Sequence, residues 1–534
     1  MSGRDHFATR YEQHFGDRLV RCFAHRPGSV LDSFRRALGR APQNDCIVAD
    51  GGRYSYRQAA DAAERIAAQL AQRGVEAGDR VALLLGNDAP FVLSLLAIAR
   101  LGAIAVPVNV REQRDGIGYI LGHCEARAVI CDADQIAKIA GPEQLPALAH
   151  RFIVGGDAGD GEPFQALLAD PGKAAPEPAL NEEDTAIILY TSGTTGRPKG
   201  VMLTHLNLIH TLMHYQQRMS LVDGERSLLV VPASHVTGVA AVILTMMHVA
   251  GCVVLVRQFD AAAFVALAAR ERITHTSMVP AMYNLCLLRA DFSEHDLSAW
   301  RIGGFGGAPM PEVTIARLHE QLPALQLINA YGATETTSPT TVLPPGDAAH
   351  CPDSVGTVVT CGEVRVMDDQ GREVPAGEAG ELWISGPMVV PGYWNNAEAN
   401  QREFVAGHWR SGDIGSKDQH GYVRVHDRKK DMINRGGYNI YSVELENLIV
   451  RHPGVVECAA VAQPDPVLGE KIHIFISHGE QSPAVQDDAI KRFCAEHLAD
   501  YKIPDYITLQ SEPLPRNANG KVIKAQLRQR LDAG

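Results

Sequence analysis

Between about residues 56 and 257 the chain alternates helix-spaced and strand-like apolar runs, and this alternation limits the folds open to it. Tyr56 to Arg73 carries alanine and leucine at helical spacing, and Arg80 to Leu85 follows as a short apolar run that reads as a buried strand. Pro90 to Leu101 is again helical and leads into strand-like Ala103 to Val108. Ile187 to Tyr190, Ser227 to Val231 and Cys252 to Arg257 repeat the strand signature. Such alternation implies a parallel sheet covered by helices on both faces. After about residue 350 the pattern changes. Glu363 to Met367, Gly380 to Ser385 and Gly421 to Val425 are short strands split by Gly, Pro and Asp turns, which predicts a small β-rich subdomain. The charged stretch His426 to Asp431 precedes a fresh α+β pattern, with helices over Glu444 to Ile449 and Gln486 to Leu498 and strands over Cys458 to Gln463 and Ile472 to Ser477. The fold class is α/β. A large N-terminal domain of helix-covered sheets plus the β-rich subdomain is expected over residues 1–427, and a small α+β C-terminal domain over 428–534.

Composition removes several function classes. A chain of 534 residues is too long for one core, so two or more domains are expected. A net charge of −12 argues against a nucleic-acid partner. The basic residues near the end, Lys521, Lys524, Arg528 and Arg530, are spaced like one solvated helix face. Ten cysteines without a Cys-x-x-Cys pair suggest neither a zinc ribbon nor a thioredoxin-type site. The polar N-terminus has no apolar core segment and is not a secretory signal. The longest apolar stretch, Phe91 to Val108, is interrupted by Arg100 and Pro107 and is too short to span a bilayer. A cytoplasmic protein without a membrane segment is expected, and a homodimer is compatible with the sequence.

The strand Ile187 to Leu189 runs into Tyr190-Thr-Ser-Gly-Thr-Thr-Gly-Arg-Pro-Lys-Gly200. Glycines there let backbone N–H groups turn towards an anion. The hydroxyls of Thr191, Ser192, Thr194 and Thr195, flanking Gly193, add donors, and Lys199 adds a positive charge. Thr204 is placed as the N-cap of a helix beginning at His205. No Gly-Lys-Ser/Thr occurs at Walker spacing, so this is a phosphate loop of another kind. The bland alternative is a flexible Ser/Gly/Thr linker.

The loop YTSGTTGRPKGV resembles the phosphate loop of the adenylate-forming superfamily, which holds acyl-CoA synthetases, luciferases and peptide-synthetase adenylation domains. Further segments resemble the family's other motifs, in the family's order, across roughly residues 50 to 525. Gly306-Gly307-Ala308-Pro309 is similar to its adenine-contacting turn, and Tyr331-Gly-Ala-Thr-Glu-Thr336 to its second nucleotide motif. Ser411-Gly-Asp-Ile-Gly415 resembles the motif whose Asp holds the ribose. Asp427 to Asp431 and Arg435-Gly-Gly-Tyr-Asn439 resemble the hinge and the segment after it. Pro515-Arg-Asn-Ala-Asn-Gly-Lys521 resembles the loop of the catalytic lysine.

The resemblance implies ATP, Mg²⁺ and coenzyme A as cofactors and a small carboxylic acid as substrate. Making an acyl-adenylate brings a carboxylate against the α-phosphate, so charge must be neutralised and the reactants held in line. Glu335 is implied as the magnesium ligand, which suits the preference of Mg²⁺ for carboxylate and phosphate oxygens. Thr334 would contact the α-phosphate and Tyr331 would stack on adenine. Asp413 could accept bonds from both ribose hydroxyls, with Arg428 as a second ribose contact. Lys521 would bridge the substrate carboxylate and α-phosphate as a point charge. Gly436 and Gly437 would leave room for the pantetheine arm after the C-terminal domain turns about Lys430. Where relatives commonly have Pro after the Gly-Gly-x-Asn stretch this chain has Ser442, which is expected to cap the following helix.

His235 stands where relatives put a gating His or aromatic residue near the acyl pocket; read alone, it is a satisfied buried histidine. Val236 follows, where amino-acid-activating relatives carry an Asp. An unpaired buried amine there would cost several kcal/mol, which disfavours α-amino substrates. Thr237, Val239, Met278, Phe305, Gly306 and Ala333 are apolar or small, as an acyl or aryl tail needs. Phe305 either shortens the pocket, favouring short, medium or aromatic acids, or points into the core. Because the sequence stops soon after Lys521, coenzyme A is the expected acceptor. The alternatives are an enzyme loading a carrier protein, a luciferase-like oxygenase or a silent binding protein.

Overall fold

The computed structural model describes residues 7–191, 197–478, 486–517 and 520–532. It divides into two units. The first takes residues up to Val364, Ile384–Trp409 and Gly421–Val423. The second takes Arg365–Trp383, Arg410–His420 and Arg424 onward.

In the first unit one sheet runs, in spatial order, Lys199–Thr204, Thr185–Thr191, Ile104–Pro107, Arg80–Leu84, Ala128–Asp132, His150–Val154 and Glu162–Pro163. All neighbours are parallel except the first pair, which is antiparallel. A second sheet holds the parallel strands Asp45–Ala49, Cys252–Leu255, Arg226–Leu229, His275–Met278, Ile302–Phe305 and Gln326–Tyr331. Two short antiparallel strands, Thr341–Val342 and Gly356–Val358, extend it. The expected parallel α/β arrangement is therefore present twice, each time with antiparallel edges.

The helices follow from local chemistry. Helix Tyr56–Gln72 starts in a capping box, in which the Ser55 hydroxyl accepts from the Gln58 N–H and the Gln58 side chain accepts in return. Ala59, Ala63, Ile66, Ala67 and Leu70 recur at helical spacing and are buried. Removing most of the Leu70 side chain would cost about 2–5 kcal/mol. Helix Ala89–Leu101 is capped by Asp88, has Pro90 in its first turn, and ends on Gly102 at φ +73°, the left-handed stop that glycine supplies. Among the described residues no helix is long and apolar enough to cross a membrane.

In the second unit Gly469–Ser477 lies at the centre of a sheet. Glu457–Asp465 pairs antiparallel to it, and Tyr506–Gln510 pairs parallel on its other side. The hairpin Ile433–Arg435 and Tyr438–Ile440 joins through Arg435 opposite Gly469. Helices Ser442–Ile449 and Asp487–Ala495 close over a core of Ile433, Leu445, Ile449, Ile472, Ile474 and Ile490.

Two local expectations are corrected here. Ser442 does not cap its helix: Tyr441 is the N-cap, without a side-chain cap bond. The Ser442 N–H and hydroxyl donate instead to Asp427, at 2.5 and 3.0 Å. The basic C-terminal helix is not a purely solvated face. Lys524 reaches the Ser442 hydroxyl and Glu446 at 2.7 Å, and Arg528 pairs with Asp431 at 2.5 Å.

Candidate active site

Strand Thr185–Thr191 and strand Lys199–Thr204 are paired tightly, Tyr190 opposite Gly200 and Thr191 opposite Lys199. Thr191 and Lys199 therefore sit side by side at the root of the phosphate loop. Ser192, Gly193, Thr194 and Thr195 lie outside the described residues. Thr204 caps helix His205–Arg218 as expected, in a capping box with Asn207. The Asn207 amide then donates to Pro387 O and Val389 O, at 2.7 and 3.1 Å. That fastens the segment leading to Tyr393 to the first turn of this helix. Trp394 N donates to Gly200 O at 2.7 Å, and Tyr393 bridges Val201.

This pairing delivers the Tyr393 ring to Lys199, whose ammonium lies 4.6 Å from the ring centroid. Lys199 is only 8 % exposed, and its ammonium pairs with Glu403 at 2.6 Å. The Tyr393 hydroxyl lies 2.6 Å from Glu403 Oε2 and 3.0 Å from Glu335 Oε1. A phenol has one proton, so it serves one of these carboxylates at a time. Burial and the adjacent carboxylates push the Tyr393 phenol far above its ordinary value, keeping it a donor. Burial opposes ionisation of Glu403, but Lys199, Tyr393 and Arg402 outweigh it and hold that carboxyl below its usual range. Sequence reasoning missed Tyr393 and Glu403. No local signal marks Glu403, the last residue of helix Ala397–Glu403.

Glu335 and the buried Thr334 lie in a single 3₁₀ turn, Thr334–Thr336, after Tyr331 and Ala333. Thr337 and Ser338 follow at φ +54° and +41°, a costly left-handed pair for residues with a Cβ. Helix His205–Arg218 holds that pair: Thr211 Oγ1 donates to Thr337 O at 3.2 Å, and Tyr215 Oη lies 2.9 Å from Ser338 Oγ. The main-chain oxygen of Glu335 accepts from Val390 N at 3.0 Å. The Glu335 carboxylate offers hard oxygen atoms of the kind that suit a cation such as Mg²⁺.

Gly306 follows strand Ile302–Phe305, and a Cβ there would stand 2.4 Å from Ala330 O, so only glycine permits the close approach to the next strand. Gly307 (φ +77°), Ala308 and Pro309 form an exposed turn before buried Met310. Phe305 is 5 % exposed and packs in the hydrophobic cluster of Val230, Met278 and Met310, of which Met278 is itself an acyl-pocket candidate. His235 is half-buried, and the Thr237 N–H donates to its Nδ1 at 3.2 Å, which puts the neutral ring's proton on Nε2. Buried Val236 precedes the π-helix Thr237–Leu244. There a Cβ on Gly238 would stand 2.2 Å from Pro232 O.

The remaining expected residues belong to the second unit. Asp413 is buried in strand His408–Lys417, and Arg428 Nε meets its Oδ1 at 2.7 Å. The two residues assigned to ribose are thus in direct contact. Lys430 lies in the turn after strand Tyr422–Arg428, and its main-chain oxygen accepts from Arg528 at 3.2 Å. Gly436 and Gly437 form the two-residue turn of a hairpin, at φ +61° and +90°. Turns of this length favour positive φ, which gives the glycine pair a conformational reason beyond leaving room. Lys521 is exposed at the end of a loop, closed where Lys521 N donates to Asn517 Oδ1 at 3.0 Å and Asn517 N to Lys521 O at 2.9 Å.

The AMP-binding enzyme family matches residues 34–394, and the AMP-binding enzyme C-terminal domain matches 444–521. A feruloyl-CoA synthase from Amycolatopsis sp is 32% identical over 93% of this chain and 98% of its own. The long-chain-fatty-acid–CoA ligase FadD13 from Mycobacterium tuberculosis is 34% identical over 90% of this chain and 94% of its own. Among solved structures, the anthranilate CoA ligase AuaEII in complex with anthranoyl-AMP superposes with a TM-score of 0.85 at 28% identity, covering 94% of this chain and 97% of that one. The chain belongs to the AMP-binding enzyme family, among its AMP-forming acyl-CoA synthetases.

Proposed function

We propose that this chain is an acid–CoA ligase that activates a short- to medium-chain or aromatic carboxylic acid with ATP and passes the acyl group to coenzyme A. A carboxylate oxygen bonds to the α-phosphorus as its bond to the bridging oxygen of the β-phosphate breaks, and pyrophosphate leaves. The thiol sulfur then replaces AMP at the acyl carbon, and the thiol proton goes to solvent. The observation that carries the reading is the contact chain Lys199–Glu403–Tyr393–Glu335, which ties the root of the phosphate loop to the turn bearing Glu335.

In this reading Thr191 and Lys199, with Ser192, Gly193, Thr194 and Thr195, cradle the phosphates. Gly307, Ala308, Pro309 and Tyr331 hold the adenine, and Asp413 with Arg428 holds the ribose. Glu335 would hold Mg²⁺, which supplies charge neutralisation at the phosphates when bound. Thr334 and Lys521 meet the reacting carboxylate and α-phosphate. His235, Val236, Thr237, Gly306 and Ala333 border the acyl group, with Phe305 behind them. Lys430 is the pivot between the domains 1–427 and 428–534 and brings Gly436 and Gly437 to the thiol. The uncharged Val236 side chain supports an acid without an α-amino group.

The test is pyrophosphate release with a panel of acids, with and without coenzyme A, on the full chain. Release with an aromatic or short acid, and thioester only when coenzyme A is present, is the expected result. Thioester formed solely on a supplied carrier protein would overturn the acceptor and favour the carrier-loading reading. We further propose a cytoplasmic enzyme that can form a homodimer, the latter checked by light scattering of the purified chain.

A further inference from the structure

Glu403 has no part in the site as the motifs define it, yet it touches two residues that bear on it. Its Oε1 receives Lys199 at 2.6 Å and Arg402 at 2.7 Å, and its Oε2 stands 2.6 Å from the Tyr393 hydroxyl. Its side chain is 19 % exposed and that of Lys199 9 %. A buried ion pair is weak evidence of added stability, since well-packed apolar residues often serve as well, so the pair calls for another reason. Tyr393 supplies one. Its single proton is shared between Glu403 and Glu335, so whatever engages Glu403 changes what Tyr393 offers to Glu335.

We propose that Glu403 is a positioning residue for the adenylation step: it holds the Lys199 ammonium and, through the Tyr393 hydroxyl, aims the Glu335 carboxylate. The inference rests on the reading of Glu335 as the magnesium-side residue. Lys199 is then fixed by protein contacts as well as by phosphate, and the phosphate-loop root and the Glu335 turn are set together as one unit. Nothing in this arrangement concerns the second half-reaction, because pyrophosphate has left by then.

The test uses the full chain and the variants Glu403→Ala, Glu403→Gln and Tyr393→Phe. The probe is α,β-methylene-ATP, titrated by calorimetry across a range of Mg²⁺, with AMP titrated in the absence of Mg²⁺ as control. Glu403→Ala and Tyr393→Phe should each raise the Mg²⁺ concentration for half-maximal analogue binding about tenfold, the size expected for a lost hydrogen bond to a charged group. Glu403→Gln, which keeps the hydrogen bond but not the charge, should fall between them and wild type. AMP affinity should stay within about twofold. Conversion of a supplied acyl-adenylate to thioester should be unchanged in all three. A Mg²⁺ dependence within about twofold of wild type in both Glu403→Ala and Tyr393→Phe overturns the proposal. So does an equal loss of AMP and analogue binding, which would mark a role in folding alone. Failure of the functional reading is told apart because it shows in the unmodified chain, as no pyrophosphate release with any acid.

Discussion

Asp427 accepts both the main-chain N–H and the hydroxyl of Ser442, at 2.5 and 3.0 Å, fifteen residues further along the chain. The bond joins the end of strand Tyr422–Arg428 to the first turn of helix Ser442–Ile449. Lys524 completes the cluster at the Ser442 hydroxyl. A proline at position 442 has no N–H to give. Ser442→Pro should therefore leave a buried carboxylate short of a donor and cost about 1–3 kcal/mol, more than Ser442→Ala, which removes the hydroxyl alone. Urea unfolding of the two variants checks the order, and a proline variant as stable as wild type would refute it.

Arg528 donates to the Lys430 main-chain oxygen and pairs with Asp431, so the C-terminal helix grips the segment where the pivot is proposed. Arg528→Ala should speed amide hydrogen exchange at Asp431 and Met432, which donate to the Arg428 oxygen in the same turn. Exchange there at the wild-type rate would show that the helix does not steady that turn.

Helix His205–Arg218 buries three histidines. Burial pulls His205 down to about 4 and His210 to about 3, and holds His214 well below 6.5. These groups stay neutral in the fold but take up protons in the unfolded chain below pH 6.5. Stability should be level above pH 6.5 and fall as pH drops through 6.5 towards 3–4. Each histidine contributes a slope of about 1.4 kcal/mol per pH unit where only the unfolded chain is protonated. Urea midpoints between pH 7 and pH 5 test this; a midpoint independent of pH over that interval would contradict it.

Lys521→Ala should abolish pyrophosphate release yet convert a supplied acyl-adenylate to thioester at near wild-type rate. Single-turnover assays of each half-reaction measure this. An equal loss in both would remove the two-conformation account.

Phe305 sits in the core cluster with Met278, its register partner on the neighbouring strand. Phe305→Ala should cost about 3–5 kcal/mol in denaturant unfolding. A loss below about 1 kcal/mol with a broadened range of accepted acids would favour the acyl-pocket reading over the core one.

Much of this was legible in the sequence, and the exceptions share a cause. Strand and helix patterns from Tyr56 to Leu255 matched because burial imposes its period on the residues themselves. Gly102, by contrast, ends its helix at φ +73°, and the hairpin turn at Gly436 and Gly437 emerged only from the pairing of Arg435 with Tyr438. Tyr393 and Glu403 escaped because their meaning comes from a strand about two hundred residues earlier, against which Tyr393 and Trp394 run. Ser442 was misjudged for the same reason. Its hydroxyl had a local use as a helix cap and a distant one at buried Asp427, and the distant one prevailed.

The π-helix Thr237–Leu244 closes its hydrogen-bonded rings over one more residue than an α-helix does. It directly follows His235 and Val236 and continues without a break into helix Thr245–His248. A turn of that kind can lose or gain a single residue while the flanking segments keep their pairing. Under the proposed role of His235 and Val236 at the acyl group, single-codon insertions and deletions at this segment give acid preference a route to change, alongside the slower exchange of one side chain for another.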